Sequence, residues 1–300
     1  MPELPDIEHY LAALRARIAA TRLVSISIQN PFLLRTVEPA PADVEGLQVT
    51  ELRRIGKRLA IGFESGYWLV IHLMIAGRLA WLEPQAKRPG RRALALFTFE
   101  SGTLVVTEAG SKRRASLHIV RGDADLDALD PHGLEPLLAT RAEFRERLTL
   151  RNHTLKRALT DPRLFSGIGN AYSDEILHAA KLSPIAQTQK LNDDDVDQLY
   201  VSVQSVLSMW STRLLEQAGD KFPKKVTAFR PDMSVHGRFG EPCPQCGTEI
   251  QRIRYVQNEL NYCPRCQTGG RVLADRSLSR LLKKDWPRTI EELEAAKGDG

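Results

Sequence analysis

The chain has 300 residues, of which 42% are hydrophobic and 26% charged, the composition of an ordinary folded protein of about two domains. It has no apolar run near the roughly 20 residues of a membrane span, and its acidic N-terminus lacks the apolar stretch of a signal peptide. We therefore expect a cytoplasmic bacterial protein with no membrane partner. The net charge of +5 and the isoelectric point of 9.1 favour a polyanionic partner.

The positive charges are clustered near turn signals. The clusters are Arg53–Arg54 with Lys57–Arg58, KRPGRR (87–92), SKRRAS (111–116) and DKFPKK (220–225). A groove lined by basic loops that binds a nucleic acid would have this distribution. Solvated loops without a ligand would have it as well, so the clusters alone leave the partner open.

Residues 4–20 carry apolar side chains at helical spacing and predict an amphipathic helix. Short β-rich runs follow between about 22 and 121, separated by Gly, Pro and charged turns. These runs are LVSISI, LQVTEL, LAIGF, YWLVIHLM, ALALFTF and TLVVTEA. Because no long helices intervene, this order predicts a β-sandwich or barrel and not βαβ units.

An acidic, proline-containing linker is predicted between about 122 and 140, and the pattern becomes helical from 141 to 218. The predicted helices are RAEFRERL, HTLKRALT, AYSDEILHAAKL and DDDVDQLYVSVQSVLSMWSTRLLEQ. The string DDDV after Leu191–Asn192 is typical of a helix start, because carboxylates are stabilised at the positive end of the helix dipole.

A tight SGIGN turn joins two of these helices. Gly167 and Gly169 let backbone N–H groups approach a ligand closely, and Asn170 enters a helix whose N-terminus is suited to a phosphate. Lys156, one helix earlier, would supply a cation to the same phosphate. A helical hairpin whose glycines serve packing alone is the alternative at this point.

All four cysteines lie in one short segment, as Cys243-x2-Cys246-x16-Cys263-x2-Cys266. Two C-x-x-C pairs at this separation predict a tetrahedral zinc site with four thiolate ligands, and the sequence between them predicts a hairpin. Four sulfur ligands complete the coordination sphere, so we expect one structural Zn²⁺ that does not activate water. No cysteine remains elsewhere to act as a thiol nucleophile.

The chain opens MPELPDIEHY, and its helical pattern begins directly behind this start. Read alone, the two prolines are good helix-starting residues. Together with the GK of RIGKR (54–58), the loop SGIGNAYSDE and the stretch VHGRFGEPC before the cysteines, the start resembles the formamidopyrimidine-DNA glycosylase and endonuclease VIII family of base-excision repair enzymes. The resemblance extends from residue 1 to about 267, in matching order and spacing.

The resemblance implies a bifunctional DNA glycosylase with AP lyase activity, acting on double-stranded DNA with damaged bases or abasic sites. Removal of Met1 would leave the secondary amine of Pro2 as the nucleophile, and a terminal amine with a pKa of about 8 is partly neutral at pH 7. The resulting Schiff base would lead to β,δ-elimination and strand cleavage. Glu3 is expected to be the acid–base group, and Lys57 to bind a phosphate.

The resemblance also implies a set of DNA-binding residues. Met74 of IHLMIAG would be a wedge that fills the space of the extruded nucleotide, and Arg113 would face the orphaned partner base. Lys156 and Asn170 would bind a phosphate at the helix–two-turns–helix loop. Asn258 would reach the DNA from the finger hairpin.

The sequence departs from the family pattern in several places. Ala115 replaces an aromatic residue two positions after the predicted Arg113, and Asn258 replaces an arginine whose bidentate grip on phosphate a neutral amide does not reproduce. The region 217–235, where the family has a flexible lesion-recognition loop, is rich in Lys and Pro. The chain also continues past its last cysteine pair, where LADRSLSRLLKKDW and TIEELEAA predict two helices that serve packing, further DNA contact or partner binding.

The expected fold class is α+β. We expect an N-terminal β-sandwich with an N-terminal helix in residues 1–130, a helix–two-turns–helix domain in 141–235, a four-cysteine zinc-finger hairpin in 236–267 and a helical extension in 268–300. The family resemblance implies a monomer. A non-catalytic protein that binds DNA lesions or abasic sites on the same fold is the main alternative, which the intact MPE start disfavours; a zinc-ribbon module fused to an unrelated β domain is more remote.

Overall fold

The chain divides into two units, Met1–Gly133 with Met209–Thr227, and Leu134–Ser208 with Ala228–Gly300. The structure is a computed structural model that describes residues 1–84, 86, 93–109, 112–224, 226–255, 259–275 and 287–298. The basic cluster KRPGRR (87–92) and most of the predicted helix LADRSLSRLLKKDW lie outside these residues. Within them, no helix is long and apolar enough to span a membrane.

The first unit is built from one long helix and two antiparallel sheets. The helix α1 spans Leu4–Ile18, and the strands of the described part are β1 (Leu23–Ile28), β2 (Val49–Ile55), β3 (Arg58–Phe63), β4 (Tyr67–His72), β5 (Gly77–Leu82), β6 (Ala93–Phe99), β7 (Gly102–Glu108) and β8 (Ser116–Arg121). One sheet has the order β1-β6-β7-β5 and the other β2-β3-β4-β8. The predicted N-terminal helix and two-sheet class are confirmed; β5 and β8 were not among the predicted runs.

The main core of this unit lies between the sheets and α1. Every second residue of β3, namely Leu59, Ile61 and Phe63, belongs to this core, as the two-residue period of a strand requires. The opposite face of the second sheet carries a smaller cluster around Trp68, which is covered by a short helix, α2 (Asp123–Asp127). Both faces of that sheet are therefore packed.

The second unit contains the remaining helices and the finger hairpin. Its described elements are α3 (Arg141–Thr149), α4 (Leu155–Thr160), α5 (Asn170–Ala179), α6 (Asp193–Ala218), β9 (Gln251–Arg254), β10 (Glu259–Tyr262), α7 (Pro264–Thr268) and α8 (Ile290–Gly298). The predicted start of α6 is confirmed, since Asn192 Oδ1 accepts the Asp195 N–H at 2.8 Å and the Asp195 carboxylate accepts the Asn192 N–H at 3.2 Å. The last turns of α6, from Met209, belong to the first unit.

Candidate functional site

The N-terminal end of α1 holds two buried carboxylates. Glu3 directly precedes the helix and is 2% exposed, and Asp6, in its first turn, is 1% exposed. The Asp6 carboxylate accepts the Glu3 N–H at 2.9 Å, which is half of a capping box. Pro2 is buried immediately before them. The Asp6 carboxylate therefore caps the helix and fixes the backbone that carries Pro2 and Glu3.

Burial is the main cause of a lowered pKa of the Met1 amino group; Glu3 opposes the shift, and Arg78 and Lys57 reinforce it. Burial also lowers the pKa of the Lys57 ammonium, against the attraction of Glu3. Lys57 stands in the turn between β2 and β3, where Gly56 adopts a φ of +57°. The terminal amine and Lys57 thus both interact with Glu3, and the lowered pKa of each amine increases its neutral fraction.

A tight turn at Leu73–Gly77 joins β4 to β5. The Gly77 N–H donates to the Leu73 carbonyl at 2.9 Å, and a Cβ on Gly77 would lie 2.2 Å from that oxygen, so only glycine fits. Met74 has a φ of +51° and a half-buried side chain, whereas Ile75 is 53% exposed. The outward apolar side chain of this turn is therefore Ile75, one position after the predicted Met74.

The loop between β7 and β8 carries the predicted Arg113, whose side chain is exposed. The loop is fixed by Glu108, whose carboxylate accepts the N–H of Arg114 at 2.9 Å and that of Ala115 at 3.1 Å. Ala115 is 3% exposed and belongs to the main core. The position that departs from the family pattern therefore faces inward, and Arg113 is exposed together with its neighbours Lys112 and Arg114.

Three polar atoms on adjacent strands are buried without a hydrogen-bond partner in the described part of the chain: Arg58 Nε, His72 Nε2 and His118 Nδ1. Arg58 and His72 face each other in the register of β3 and β4. Burial, reinforced by Arg58 and Lys57, lowers the pKa of His72 to about 4, so the ring is neutral at pH 7. Arg58 Nε is a donor suited to an anion, and a histidine nitrogen that carries the ring proton can add a second. They were not predicted because three strands contribute them.

The predicted phosphate-binding residues of the second unit lie together at the start of α5. Lys156 Nζ forms an ion pair with the Asp174 carboxylate at 2.5 Å and donates to the Asn170 carbonyl at 2.6 Å. The Asn170 side chain donates to the Glu259 carbonyl of β10 at 2.8 Å. Because an ammonium group has three donors, these contacts leave Lys156 the capacity to bind a further oxygen.

Asp174, which was not predicted as a site residue, connects three segments. Its side chain is fully buried, and besides Lys156 it accepts the His236 Nδ1 proton at 2.8 Å and the Asn261 N–H at 3.2 Å. One carboxylate therefore holds α4, β10 and the stretch before the finger around the start of α5. Its partners are distant in the sequence, so no local pattern could indicate this role.

A groove of about 590 Å³ lies beside these residues. Its walls are formed by α4, the start of α5 and the finger hairpin, and its lining includes Lys156, Arg157, Asn170, Tyr255 and Leu260. Cations next to an aromatic ring are the residue types that bind phosphates and stack on bases or sugars. The groove thus offers a surface suited to a nucleic-acid backbone.

The four cysteines come together as predicted. Their Sγ atoms lie within 4.8 Å of one another, with 3.4 Å between Cys246 and Cys263 and 3.9 Å between Cys243 and Cys266. Four sulfurs bound to one tetrahedral Zn²⁺ at about 2.3 Å would stand about 3.8 Å apart. The cluster fits a single structural zinc ion.

Groups around the cysteines support the same role. The Cys266 N–H points at Cys263 Sγ at 3.4 Å, and Gly247, at a φ of +75°, closes the first knuckle with a hydrogen bond to the Cys243 carbonyl at 2.9 Å. His178 Nε2 lies 3.3 Å from Cys243 Sγ, and burial lowers the pKa of this ring to about 4. A neutral ring at this distance can donate to a metal-bound thiolate and orient it.

Asn258, predicted at the hairpin tip, lies outside the described residues. Of the arginines nearby, Arg252 is held over the Phe239 ring at 4.0 Å and lies 3.8 Å from the Glu259 carboxylate. The side chains of Arg254 and Arg271 are exposed. Arg254 thus places a solvent-facing cation at the end of β9.

Three protein-family models match the chain in this order. They are the formamidopyrimidine-DNA glycosylase N-terminal domain over residues 1–114, the H2TH domain of the same enzyme over 132–211, and the zinc finger found in FPG and IleRS over 240–269. Together they span both units.

Similar proteins agree with these models. The formamidopyrimidine-DNA glycosylase of Desulfitobacterium hafniense is 31% identical over 279 residues, covering 89% of this chain and 100% of that protein. The glycosylase of Thermomicrobium roseum is 33% identical over 293 residues, covering 89% of this chain and 99% of that protein. A solved complex of Lactococcus lactis Fpg with DNA that contains an abasic site is 25% identical, with a TM-score of 0.77, and covers 89% of this chain and 99% of its own.

Proposed function

Because the chain belongs to the formamidopyrimidine-DNA glycosylase family, we propose that it is a bifunctional enzyme, which removes a damaged base from double-stranded DNA and then cleaves the strand at the resulting abasic site. Family membership supports the glycosylase activity, and the lyase step is proposed from the residues. The observation that carries it is the electrostatic interaction of the buried Glu3 with two half-buried amines, those of the chain terminus and of Lys57.

The reaction begins at Pro2, once Met1 has been removed. The proline nitrogen forms a bond to C1′ of the damaged nucleotide while the bond from C1′ to the base breaks, and the base leaves with the electron pair and takes up the proton that the attacking amine loses. Glu3 protonates the sugar ring oxygen, so the ring opens and C1′ becomes an iminium. Burial lowers the pKa of an amine at this terminus, which favours its nucleophilic form.

Strand cleavage follows from the iminium. Because the secondary amine gives a permanently charged iminium, this group accepts the electron pair of the C2′–H bond when the proton is removed. The 3′ phosphate then leaves, and a second elimination releases the 5′ phosphate. Water finally hydrolyses the bond between C1′ and nitrogen and restores the amine.

Phosphates flanking the extruded nucleotide are bound by Lys57 at the first unit, with Arg58 and His72 as further donors. The second unit binds the backbone through Lys156 and Asn170, with one zinc ion holding the finger. These groups are the sequence-predicted ones together with the unpartnered donors of β3 and β4.

Extrusion of the nucleotide leaves a gap in the base stack, and an apolar side chain that enters it offsets part of the lost stacking. The turn between β4 and β5 supplies the wedge. Met74 was predicted for it, and the exposure of Ile75 makes this neighbour the stronger candidate. The exposed Arg113 is the proposed contact to the orphaned partner base.

Borohydride trapping tests the lyase proposal. The untagged, zinc-loaded protein is incubated with an abasic-site duplex and sodium borohydride, which reduces an iminium to a stable amine link. We expect a covalent adduct with the wild type and none with a tag joined to the N-terminus, which converts the nitrogen of residue 2 into an amide. A wild type that binds the duplex without forming an adduct would instead establish the non-catalytic lesion-binding protein.

A further inference from the structure

The segment that follows the zinc finger folds back onto the finger hairpin. The zinc-finger family model ends at residue 269, so the contacts of the later residues lie beyond the family match. The Leu273 N–H donates to Tyr262 Oη at 2.7 Å, and Leu273 packs against the apolar cluster of the hairpin. Asp275 is 2% exposed, and its Oδ2 accepts the Arg254 N–H at 2.7 Å. One short stretch thus binds both strands of the hairpin.

Residues 288–290, at the start of α8, form hydrogen bonds with residues 270–272. The Val272 N–H donates to the Arg288 carbonyl at 2.9 Å, and the Ile290 N–H donates to the Gly270 carbonyl at 3.0 Å. Ile290, at the start of α8, is 4% exposed. Residues 270–275 are therefore held between the hairpin on one side and the start of α8 on the other.

We propose that residues 270–275, which we term the brace, position the finger hairpin for binding to the DNA backbone, with Asp275 as the main positioning residue. This inference rests on the proposed function. Arg254, whose N–H Asp275 holds, carries an exposed cationic side chain at the end of β9. The next residue, Tyr255, lines the groove beside Lys156.

The brace keeps its contact with the hairpin when a phosphate binds in the groove. The hairpin is also held from its other strand, because the Asn170 side chain donates to the Glu259 carbonyl. A phosphate that takes the Asn170 amide removes this contact from β10, which keeps the hydrogen bond from its Asn261 N–H to Asp174. The contact of Asp275 with β9 is unaffected by such an exchange, so it keeps the hairpin wall of the groove in place.

Charge and position predict opposite effects for Asp275, which makes the inference testable. Removing an acid near a DNA-binding surface strengthens binding if only its charge matters, since DNA is a polyanion. Removing a positioning carboxylate weakens binding, because the Arg254 N–H loses its buried acceptor and the hairpin wall moves.

The test compares full-length, zinc-loaded Asp275→Ala with Glu294→Ala, which removes an equal charge at an exposed position of α8. Affinity is measured by fluorescence anisotropy on a duplex with a tetrahydrofuran abasic-site analogue, together with zinc content, melting temperature and hydrogen exchange of the peptide containing Arg254. We expect about five- to tenfold weaker binding for Asp275→Ala and faster exchange at Arg254, with zinc content unchanged. Glu294→Ala should bind as the wild type or slightly more tightly.

Tyr262→Phe provides a milder change to the brace, which can be tested even if Asp275→Ala folds poorly. Tyr262→Phe removes only the hydroxyl that accepts the Leu273 N–H, and should weaken binding about two- to fivefold. Unchanged or tighter binding by both variants would overturn the brace, as would a loss of zinc or melting temperature that accounts for the whole change in affinity. A wild type that fails to bind the duplex would instead overturn the proposed function.

Discussion

The N-terminal site and the groove beside the zinc finger differ in the surroundings of their polar side chains. At the N-terminal site, burial lowers the pKa of the terminal amine and of Lys57, which destabilises their charged forms. In the groove, Lys156 is paired with the Asp174 carboxylate, and Asn170 donates to a backbone carbonyl. A nucleophile requires a shifted protonation equilibrium, whereas a phosphate-binding group can be held by an internal partner until the phosphate replaces or joins it.

Replacement of Glu3 at the N-terminal site should cause the greatest loss of activity. Glu3→Gln keeps the size of the side chain and removes its acid–base function, so we expect the rate of base release to fall by about 10²- to 10⁴-fold. DNA affinity should change little. The control is Glu8→Gln, the same substitution on α1 at a residue that pairs with Arg54. Single-turnover kinetics measure both, and a Glu3→Gln variant as fast as the control would remove Glu3 from the mechanism.

The next prediction concerns the ion pair between Lys156, which lines the groove, and the Asp174 carboxylate. Asp174→Asn removes the fully buried charge that Lys156 and His236 share, so we expect the free energy of unfolding to fall by about 3 kcal/mol. Urea denaturation measures it, with exposed Asp194→Asn as the control. Equal stability of the two variants would show that the groove residues do not depend on this carboxylate.

A third prediction concerns the pH dependence of stability and the half-buried His72. Its pKa is about 4 in the folded protein, while an unfolded histidine titrates near 6.5. Between these values the unfolded chain binds more protons, so stability falls as the pH decreases. From pH 7 to 4.5, the wild type should lose about 2 kcal/mol more unfolding free energy than His72→Gln.

Denaturation at both pH values checks this difference, with the largely exposed His132→Gln as the control. A loss equal in the wild type and in His72→Gln would mean that His72 is not kept neutral by its surroundings.

The smallest effect separates the two candidates for the wedge. Ile75→Ala shortens the exposed side chain of the β4–β5 turn and should slow base release from duplex DNA by about three- to tenfold, because less of the lost stacking is offset. Met74→Ala, at the half-buried neighbour, should mainly lower the melting temperature. The reverse assignment of these two effects would restore Met74 as the wedge.

Local patterns were enough to predict much of this fold. The zinc cluster was predictable because two C-x-x-C pairs constrain four ligands within a short segment, and α6 because Asn192 precedes an acidic first turn. The N-terminal helix followed from its apolar spacing. Each of these features is specified by residues that lie close together in the sequence.

The features that were not predicted depend on distant partners or on single backbone angles. Asp174 acts through Asn261, which lies 87 residues later in the chain. The outward direction of Ile75 follows from the positive φ of Met74 and from the fit of Gly77, which a pattern of residue types does not encode. The Asp275 contact to Arg254 likewise arises only when the chain folds back on the finger.

We propose the nitrogen of residue 2 as the nucleophile. Lys57 is a natural competitor, because burial lowers the pKa of its amine too. The decisive measurement is tandem mass spectrometry of the borohydride-trapped adduct after proteolysis and nuclease digestion. We expect a chain that begins at Pro2 with the sugar remnant on its nitrogen. A remnant on Lys57, or on a chain that retains Met1, would contradict it.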